Sequence, residues 1–204
     1  APVSLSPPMP RPPVALRPTR LSVTRIETLR RDPYSIYAEK ILKLIPLTAL
    51  GDETSARDIG NDFHKLLDDF TQIYPSGTLP DDAFETLTHM ALQQFEAYAD
   101  DADFKTFRWP RIHAAIQHHI VFENERRADL SHIFSEAEGR YVFPLADGSS
   151  FTLSGTADRI ELRTDGSLAL VDYKTGHIPS LKQVRAGFSP QLTLEAAMAE
   201  HGAF

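Results

Sequence analysis

The sequence of 204 residues contains no cysteine, which excludes disulfide bonds, thiol nucleophiles and metal sites built on cysteine ligands, iron–sulfur clusters among them. No apolar run approaches about eighteen residues, so we expect no membrane-spanning helix. Prolines stand where a secretory signal would carry its apolar stretch. A reducing, cytoplasmic location is consistent with these absences and is our expectation.

Several nucleotide-binding and hydrolase signatures are also missing. The sequence has no G-x-x-x-x-G-K-[ST] segment, so the chain itself has no P-loop for ATP hydrolysis. It has no G-x-S-x-G elbow, no G-x-G-x-x-G fingerprint and no H-E-x-x-H metal motif. The clustered residues His113, His118 and His119 have no zinc-site spacing, and we interpret them as helix surface.

The composition is that of an ordinary globular protein, with 42% hydrophobic and 24% charged residues and a net charge of -7. The charge is unevenly spread: the first fifty residues carry eight Lys and Arg against three Asp and Glu, whereas residues 51–130 carry seven against sixteen. An acidic total disfavours non-specific binding to a phosphate backbone. It does not exclude an enzyme that meets phosphates through bound cations.

The chain divides into a Pro-rich linker over residues 1–19, which hold seven of the fifteen prolines, and a domain over residues 20–204. The first residue is Ala rather than Met, so we expect a processed or cut piece of a longer protein. Because the chain ends soon after the helix at Gln191 begins, we also expect the last part of the domain to be missing after Phe204. Apolar spacing and start signals predict helices, the first opened by a Thr24–Glu27 capping box and the last by Ser189–Pro190. These helices are predicted over 26–31, 34–44, 58–74, 82–95, 109–133 and 191–200.

Alternating segments predict strands over 140–145, 151–162 and 168–174, with turns at Asp147-Gly148 and Asp165-Gly166. A three-residue turn at 164–166 pairs Arg163 with Ser167 and therefore places Asp158 opposite Asp172. Lys174, two residues further along, shares their face. A two-residue turn would separate the carboxylates, so the prediction depends on this register.

Two carboxylates facing each other beside an apolar surface repel, and a cation must compensate. Hard oxygen ligands favour Mg²⁺ or Mn²⁺, which could polarise a phosphoryl oxygen while Lys174 orients a water or stabilises negative charge. A salt-bridged hairpin with no catalytic role is the alternative for the D-x-K triplet taken alone. Glu136 and Glu138 precede the hairpin and are interpreted as surface charge rather than extra acidic groups of the site.

The combined motifs resemble those of the PD-(D/E)XK nuclease superfamily over roughly residues 21–204. The resemblance is to RecB-type exonuclease domains, and most of all to the C-terminal nuclease domain of AddB-like helicase–nuclease subunits. It rests on four segments, which are Gly60-Asn-Asp-Phe-His64, Gly155-Thr-Ala-Asp158, Val171-Asp-Tyr-Lys-Thr-Gly176 and Gln191-Leu192.

The resemblance implies an α/β, restriction-endonuclease-like core in which a mixed central sheet with a catalytic β-hairpin is flanked by helices, after a helical N-terminal portion. It implies that Asp158, Asp172, His64 and the Tyr173 carbonyl bind metal, that Lys174 is catalytic, and that Gln191 lies beside the scissile phosphate or the attacking water. The implied function is a Mg²⁺- or Mn²⁺-dependent DNA exonuclease that works with a helicase subunit of an AddAB/RecBCD-like complex. Its task would be resection of double-strand ends for recombinational repair.

Three departures from the family pattern are visible. Ala157 replaces the namesake proline, Glu195 stands where a tyrosine often follows the Gln191 motif, and the cysteines of an iron–sulfur cluster are absent. A catalytically inactive nuclease-like module that binds DNA ends or docks onto a larger complex is therefore the alternative function. A stand-alone CRISPR-associated nuclease is disfavoured by the missing cysteines and the N-terminal linker.

Overall fold

The computed structural model describes residues 9–45, 47, 56–174, 176 and 178–204. The first eight residues of the predicted linker and Thr175 of the D-Y-K-T-G motif lie outside the described residues. The α-helices in this part of the chain are α1 (Val23–Arg31), α2 (Pro33–Ile36), α3 (Ala56–Ile73), α4 (Ala83–Gln94), α5 (Trp109–Arg126), α6 (Leu181–Arg185) and α7 (Gln191–Glu200). The strands are β1 (Arg20–Ser22), β2 (Leu130–Pro144), β3 (Ser150–Arg163) and β4 (Leu168–Val171).

Strand β3 is the centre of a mixed sheet. It pairs with β2 along one edge in antiparallel fashion. On its other edge it pairs first with β1, which is parallel, and then with β4, which is antiparallel. Helices flank this sheet, as the α/β prediction requires, and none of the helices in the described ranges is long and apolar enough to cross a membrane.

The β3–β4 hairpin has the predicted register. Arg159 pairs with Val171 and Leu162 with Leu168, while the Arg163 N–H donates to the Ser167 carbonyl at 2.9 Å. Gly166 closes the turn with φ +84, a left-handed conformation that glycine adopts at little cost. The strand is shorter than predicted, because β4 ends at Val171 and does not continue to Lys174.

Helices α3, α4 and α5 form the larger hydrophobic core. Their buried residues follow the helical spacing of the sequence, so one apolar face of each helix turns inward. Tyr173, which follows β4, packs against this core and joins the helical layer to the sheet. The helices contribute Leu66, Leu67, Phe70, Ala83, Leu87, Ala91, Ile112 and Ile116, and the segment between α4 and α5 adds Phe95 and Phe104.

A smaller core packs α1 and α7 against the other end of the sheet, through Val23, Leu153 and Met198. Gly155 on β3 makes this close approach feasible, since a Cβ there would lie 3.2 Å from the Val23 side chain. The glycine of the Gly155–Asp158 motif therefore has a packing role, which brings α1 and α7 close to the strand that carries Asp158.

The structure corrects the predicted long helix over 109–133. Helix α5 ends at Arg126, and after a short 3₁₀ turn the chain enters β2 at Leu130. Arg127 is buried and binds the carbonyls of Tyr74 and Gly77, which turns the chain away from the helix axis. The spacing of Leu130 and Ile133 fits one helical face, but both side chains are buried by the sheet instead.

Two smaller predictions at element ends also differ, and two short elements were not predicted. The first helix is capped by Ser22, whose Oγ accepts the Arg25 N–H at 3.2 Å, so the predicted Thr24–Glu27 box is wrong. The last helix is preceded by Pro190 as its N-cap residue, and Ser189 is not the cap. The sequence patterns gave no sign of β1 or α6, because three to five residues are too few to show a period.

Candidate metal centre

Asp158 lies at the centre of the sheet, on the strand that every other strand contacts. Its Oδ2 accepts the Tyr173 N–H at 2.8 Å and lies 3.5 Å from Nδ1 of His64, which α3 presents to the sheet. The Asp158 side chain is 14% exposed and the His64 side chain 26%. The hydrogen bond from Tyr173 also explains why β4 ends at Val171. The Tyr173 N–H donates to the Asp158 side chain and therefore makes no backbone hydrogen bond with β3.

Glu136 joins this pair from β2. It lies between the Ser135–Arg159 and Ala137–Ala157 pairs and has a φ of 45, unusual for a residue other than glycine. His64, Glu136 and Asp158 each offer a ligand atom within 4.8 Å of the others. Glu136 is exposed, as the surface interpretation requires, but it faces the same space as the two predicted site residues.

Asp172, Lys174 and Gln191 form the second half of the site. The Lys174 ammonium lies 2.8 Å from both carboxylate oxygens of Asp172 and 3.2 Å from Oε1 of Gln191. The Gln191 Nε2 donates to Asp172 Oδ1 at 2.9 Å. Helix α7 supplies Gln191 from its first residue, so the helix that closes the smaller core also closes the site.

The electrostatics of the site favour binding of a cation. Burial raises the pKa of Asp158 above its usual range, and the negative charge of Asp172 adds to the rise, whereas the Tyr173 N–H, His64 and Lys174 oppose it. Burial and the charge of Asp158 also raise the pKa of Glu136. A divalent ion would offset the same repulsion that raises these pKa values.

An open cleft of about 680 Å³ lies over His64, Glu136, Asp158 and Gln191, whereas Asp172 and Lys174 adjoin it through Gln191 and are not among its lining residues. Hard carboxylate oxygens with one imidazole form a donor set that suits Mg²⁺ or Mn²⁺. The cleft is lined by Thr24, Gly60, Asn61, His64, Lys65, Asp68, Glu136, Thr156, Asp158 and Gln191.

A layer of buried ion pairs supports the site from the opposite face of β3. Arg159 is 1% exposed and donates to the carboxylates of Glu123 on α5 and Glu161 on β3, both completely buried. Its guanidinium also donates to the Tyr173 hydroxyl at 3.2 Å, and burial raises the pKa of Tyr173 to about 12. Buried charges require such pairing. Through Arg159 the pairing also holds Tyr173, which donates its N–H to Asp158 and directly precedes Lys174.

The predicted surface position of His119 is wrong. His119 is only 7% exposed and packs edge-on against Phe70 and Tyr173, and burial lowers its pKa to about 4. His118 is exposed, as expected. The sequence contains one usable signal for this burial, because His119 and Glu123 lie one turn apart on α5 and turn inward together.

The chain is similar to known proteins over most of its length. Residues 20–204 match a family model described as the PD-(D/E)XK nuclease superfamily. An uncharacterized protein of Rickettsia bellii is 34% identical over 181 residues, which cover 89% of this chain and 22% of that protein. An uncharacterized protein of Rickettsia conorii is 33% identical over 187 residues, with the same coverage.

A more distant relative carries a functional name. This relative, from Clostridium perfringens, is one of the subunits of an ATP-dependent helicase/deoxyribonuclease. It is 27% identical over 183 residues, which cover 76% of this chain and 15% of that protein. The chain thus spans about a fifth of the length of the Rickettsia relatives and less of the Clostridium relative.

Proposed function

Since the chain belongs to the PD-(D/E)XK nuclease superfamily, we propose that it hydrolyses phosphodiester bonds of DNA and requires bound Mg²⁺ or Mn²⁺. The observation that carries the proposal is the convergence of four distant segments. His64 on α3, Asp158 on β3, the Asp172–Lys174 segment after β4 and Gln191 on α7 line or adjoin one cleft.

The metal would be held by His64, Asp158, Asp172 and the carbonyl oxygen of Tyr173, with Glu136 as a further carboxylate within reach. His64 binds as neutral imidazole, so acid weakens the site. A divalent cation bound there supplies Lewis acidity toward a phosphoryl oxygen. The chain's own carboxylates would set the charge and the position of the ion.

Lys174 and Gln191 would act on the reacting groups. Lys174 is about one-third exposed, and its ammonium lies between Asp172 and Gln191 at the edge of the cleft. There it would orient the attacking water and stabilise negative charge that develops on the phosphate. Gln191 would hold Asp172 and Lys174 in place, since its amide nitrogen donates to Asp172 and its amide oxygen accepts from Lys174.

The wider role we propose is exonuclease action in a helicase–nuclease complex for resection of double-strand breaks. It is supported by the name of the Clostridium relative. Because no P-loop motif occurs in the chain, a helicase subunit would supply ATP-driven unwinding. A cytoplasmic location, where that DNA lies, belongs to the same proposal.

Substitution at Lys174 tests the nuclease proposal. The wild-type chain should degrade linear DNA with Mg²⁺ or Mn²⁺ and stop when EDTA is added. Lys174→Ala should lower the cleavage rate by about 100-fold or more, because one group that stabilises the transition state is lost. Lys182→Ala removes an exposed lysine from α6 and should keep the wild-type rate.

Two outcomes would contradict the proposal. Cleavage by folded Lys174→Ala at the wild-type rate would remove Lys174 from the mechanism. A wild-type chain that binds DNA ends but leaves them intact with either metal would instead support the inactive end-binding or docking module. Circular dichroism of each variant separates a lost function from a lost fold.

A further inference from the structure

Glu195 is a buried carboxyl group directly behind the site, one turn after Gln191 on α7. It is 1% exposed, and among the described residues its Oε1 has no hydrogen-bond partner. An unpaired polar atom in the interior costs free energy, and an apolar side chain of similar volume would avoid that cost. Packing alone therefore gives no reason for a carboxyl group at this position.

The surroundings of Gln191 provide a reason. Lys174 has only donors and the Asp172 carboxylate only acceptors, so the Gln191 amide has one productive orientation, with Oε1 toward Lys174 and Nε2 toward Asp172. In that orientation the second N–H of Gln191 Nε2 bonds to neither Asp172 nor Lys174. Glu195 follows Gln191 by one turn of α7, a spacing at which helix side chains meet. Burial raises the pKa of the Glu195 carboxyl, and a hydrogen bond from the Gln191 side chain lowers that pKa against the rise.

The Glu195 side chain is packed between α7 and β3. A Cβ placed on Gly155 would lie 3.9 Å from Glu195 Cγ, which shows that the side chain passes directly over β3. The neighbouring buried residue of α7, Met198, packs in the smaller core with Val23. A buried acceptor next to a polar amide is suited to holding that amide in one orientation.

We propose that Glu195 is a positioning residue that fixes the Gln191 amide, with its oxygen toward Lys174 and its nitrogen toward Asp172. Glu195 is too deeply buried to touch a substrate, so it acts only through Gln191. The catalytic consequence of this inference rests on the proposed nuclease function, whereas the orientation of the amide does not.

The test compares Glu195→Met with Glu195→Gln in the same chain. Met keeps the volume but offers no acceptor to the amide, so kcat for DNA cleavage should fall by about 10- to 100-fold with KM within a few-fold. The Met variant should unfold within a few degrees of the wild type, because it removes the unpaired Oε1 but also loses the bond from the Gln191 amide. Glu195→Gln keeps an acceptor and should retain kcat within a few-fold.

Thr193→Val is the matched control on the same helix. Thr193 is exposed and its hydroxyl bonds to the Pro190 carbonyl, away from the site, so this variant should keep both kcat and KM. A Glu195→Met variant that keeps kcat within about twofold of the wild type would overturn the positioning role.

The NMR signals of the Gln191 side-chain amide give a readout independent of cleavage. They can be assigned by their loss in Gln191→Met. In Glu195→Met they should shift toward the values of a free amide, and in Glu195→Gln they should stay near the wild-type values. Unchanged signals in Glu195→Met would overturn the inference even if the wild type cuts no DNA, in which case the proposed function fails separately.

Discussion

At the scale of single residues, the acidic groups of the site differ in their surroundings. Asp158, Asp172 and Glu136 face a cleft or a cationic partner, whereas Glu195 is enclosed by protein. Burial raises the pKa of Glu195 from an ordinary 4.5 to about 7, with Asp172 and Asp158 adding to the rise. Glu195 should therefore hold its proton in the folded chain at pH values where the unfolded chain has lost it.

This difference predicts a pH-dependent stability. The stabilisation from the protonated Glu195 is fully present below pH 4.5 and is lost as pH rises through about 7, a total of about 3 kcal/mol. Urea titrations in EDTA between pH 5 and 8 give the unfolding free energies of the wild type and of Glu195→Met. The wild-type value minus the Glu195→Met value should decline as the pH rises. Glu200→Gln, an exposed change on the same helix, should show no such difference.

A flat difference between the wild type and Glu195→Met across that range would contradict the raised pKa. The raised pKa of Glu195 could not have been predicted from the sequence alone. The sequence marks Glu195 as a departure from a family motif, but the energetic state of the carboxyl depends on which segments cover it. The same holds for Arg159, whose partner on α5 is 36 residues away in sequence.

At the scale of elements, the β3–β4 hairpin is what the sequence predicts best. A turn of known length fixes which residues face each other, so the Asp158 and Asp172 positions follow from Asp165-Gly166 by geometry alone. The end of β4 cannot be predicted from the turn, because the pairing stops where the Tyr173 N–H donates to the Asp158 side chain. The boundary between α5 and β2 fails for a related reason, since it depends on tertiary contacts of Arg127.

The turn itself offers a test. Gly166→Ala should lower the free energy of unfolding by about 1 kcal/mol, because φ +84 strains any side chain, even though no described residue lies within 4 Å of the new Cβ. Cleavage should persist, since the paired residues on either side hold the register. Ser167→Ala in the same turn should change the unfolding free energy by less than about 0.5 kcal/mol.

Loss of cleavage in a folded Gly166→Ala variant would show that the turn, and not the ladder, maintains the register. Denaturant unfolding monitored by circular dichroism measures the stability, and the linear-DNA assay measures the activity.

At the scale of the whole molecule, two packed layers meet at a site rich in negative charge. A bound ion should stabilise the folded chain by mass action, by about 2.7 kcal/mol at a metal concentration of about one hundred times Kd. Mn²⁺ should therefore raise the wild-type Tm by several degrees. Asp158→Asn should lose most of this rise, yet be at least as stable as the wild type in EDTA, because one buried charge is removed.

Asp81→Asn is the control for this measurement, since Asp81 is exposed and precedes α4. It should keep the full rise in Tm with Mn²⁺. An equal rise in Asp158→Asn would mean that the metal binds elsewhere and would separate Asp158 from the metal centre.

The alternation of side chains along β3 has a mechanical consequence. Asp158 faces the cleft while its neighbour Arg159 is anchored to α5, and Tyr173 is linked to both, by its N–H and by its hydroxyl. Sliding of α5 along the sheet would therefore pull on the backbone that leads from Asp172 to Lys174. The position of α5 and the alignment of Asp172 and Lys174 at the cleft are therefore coupled through Asp158 and Arg159, two consecutive residues of β3.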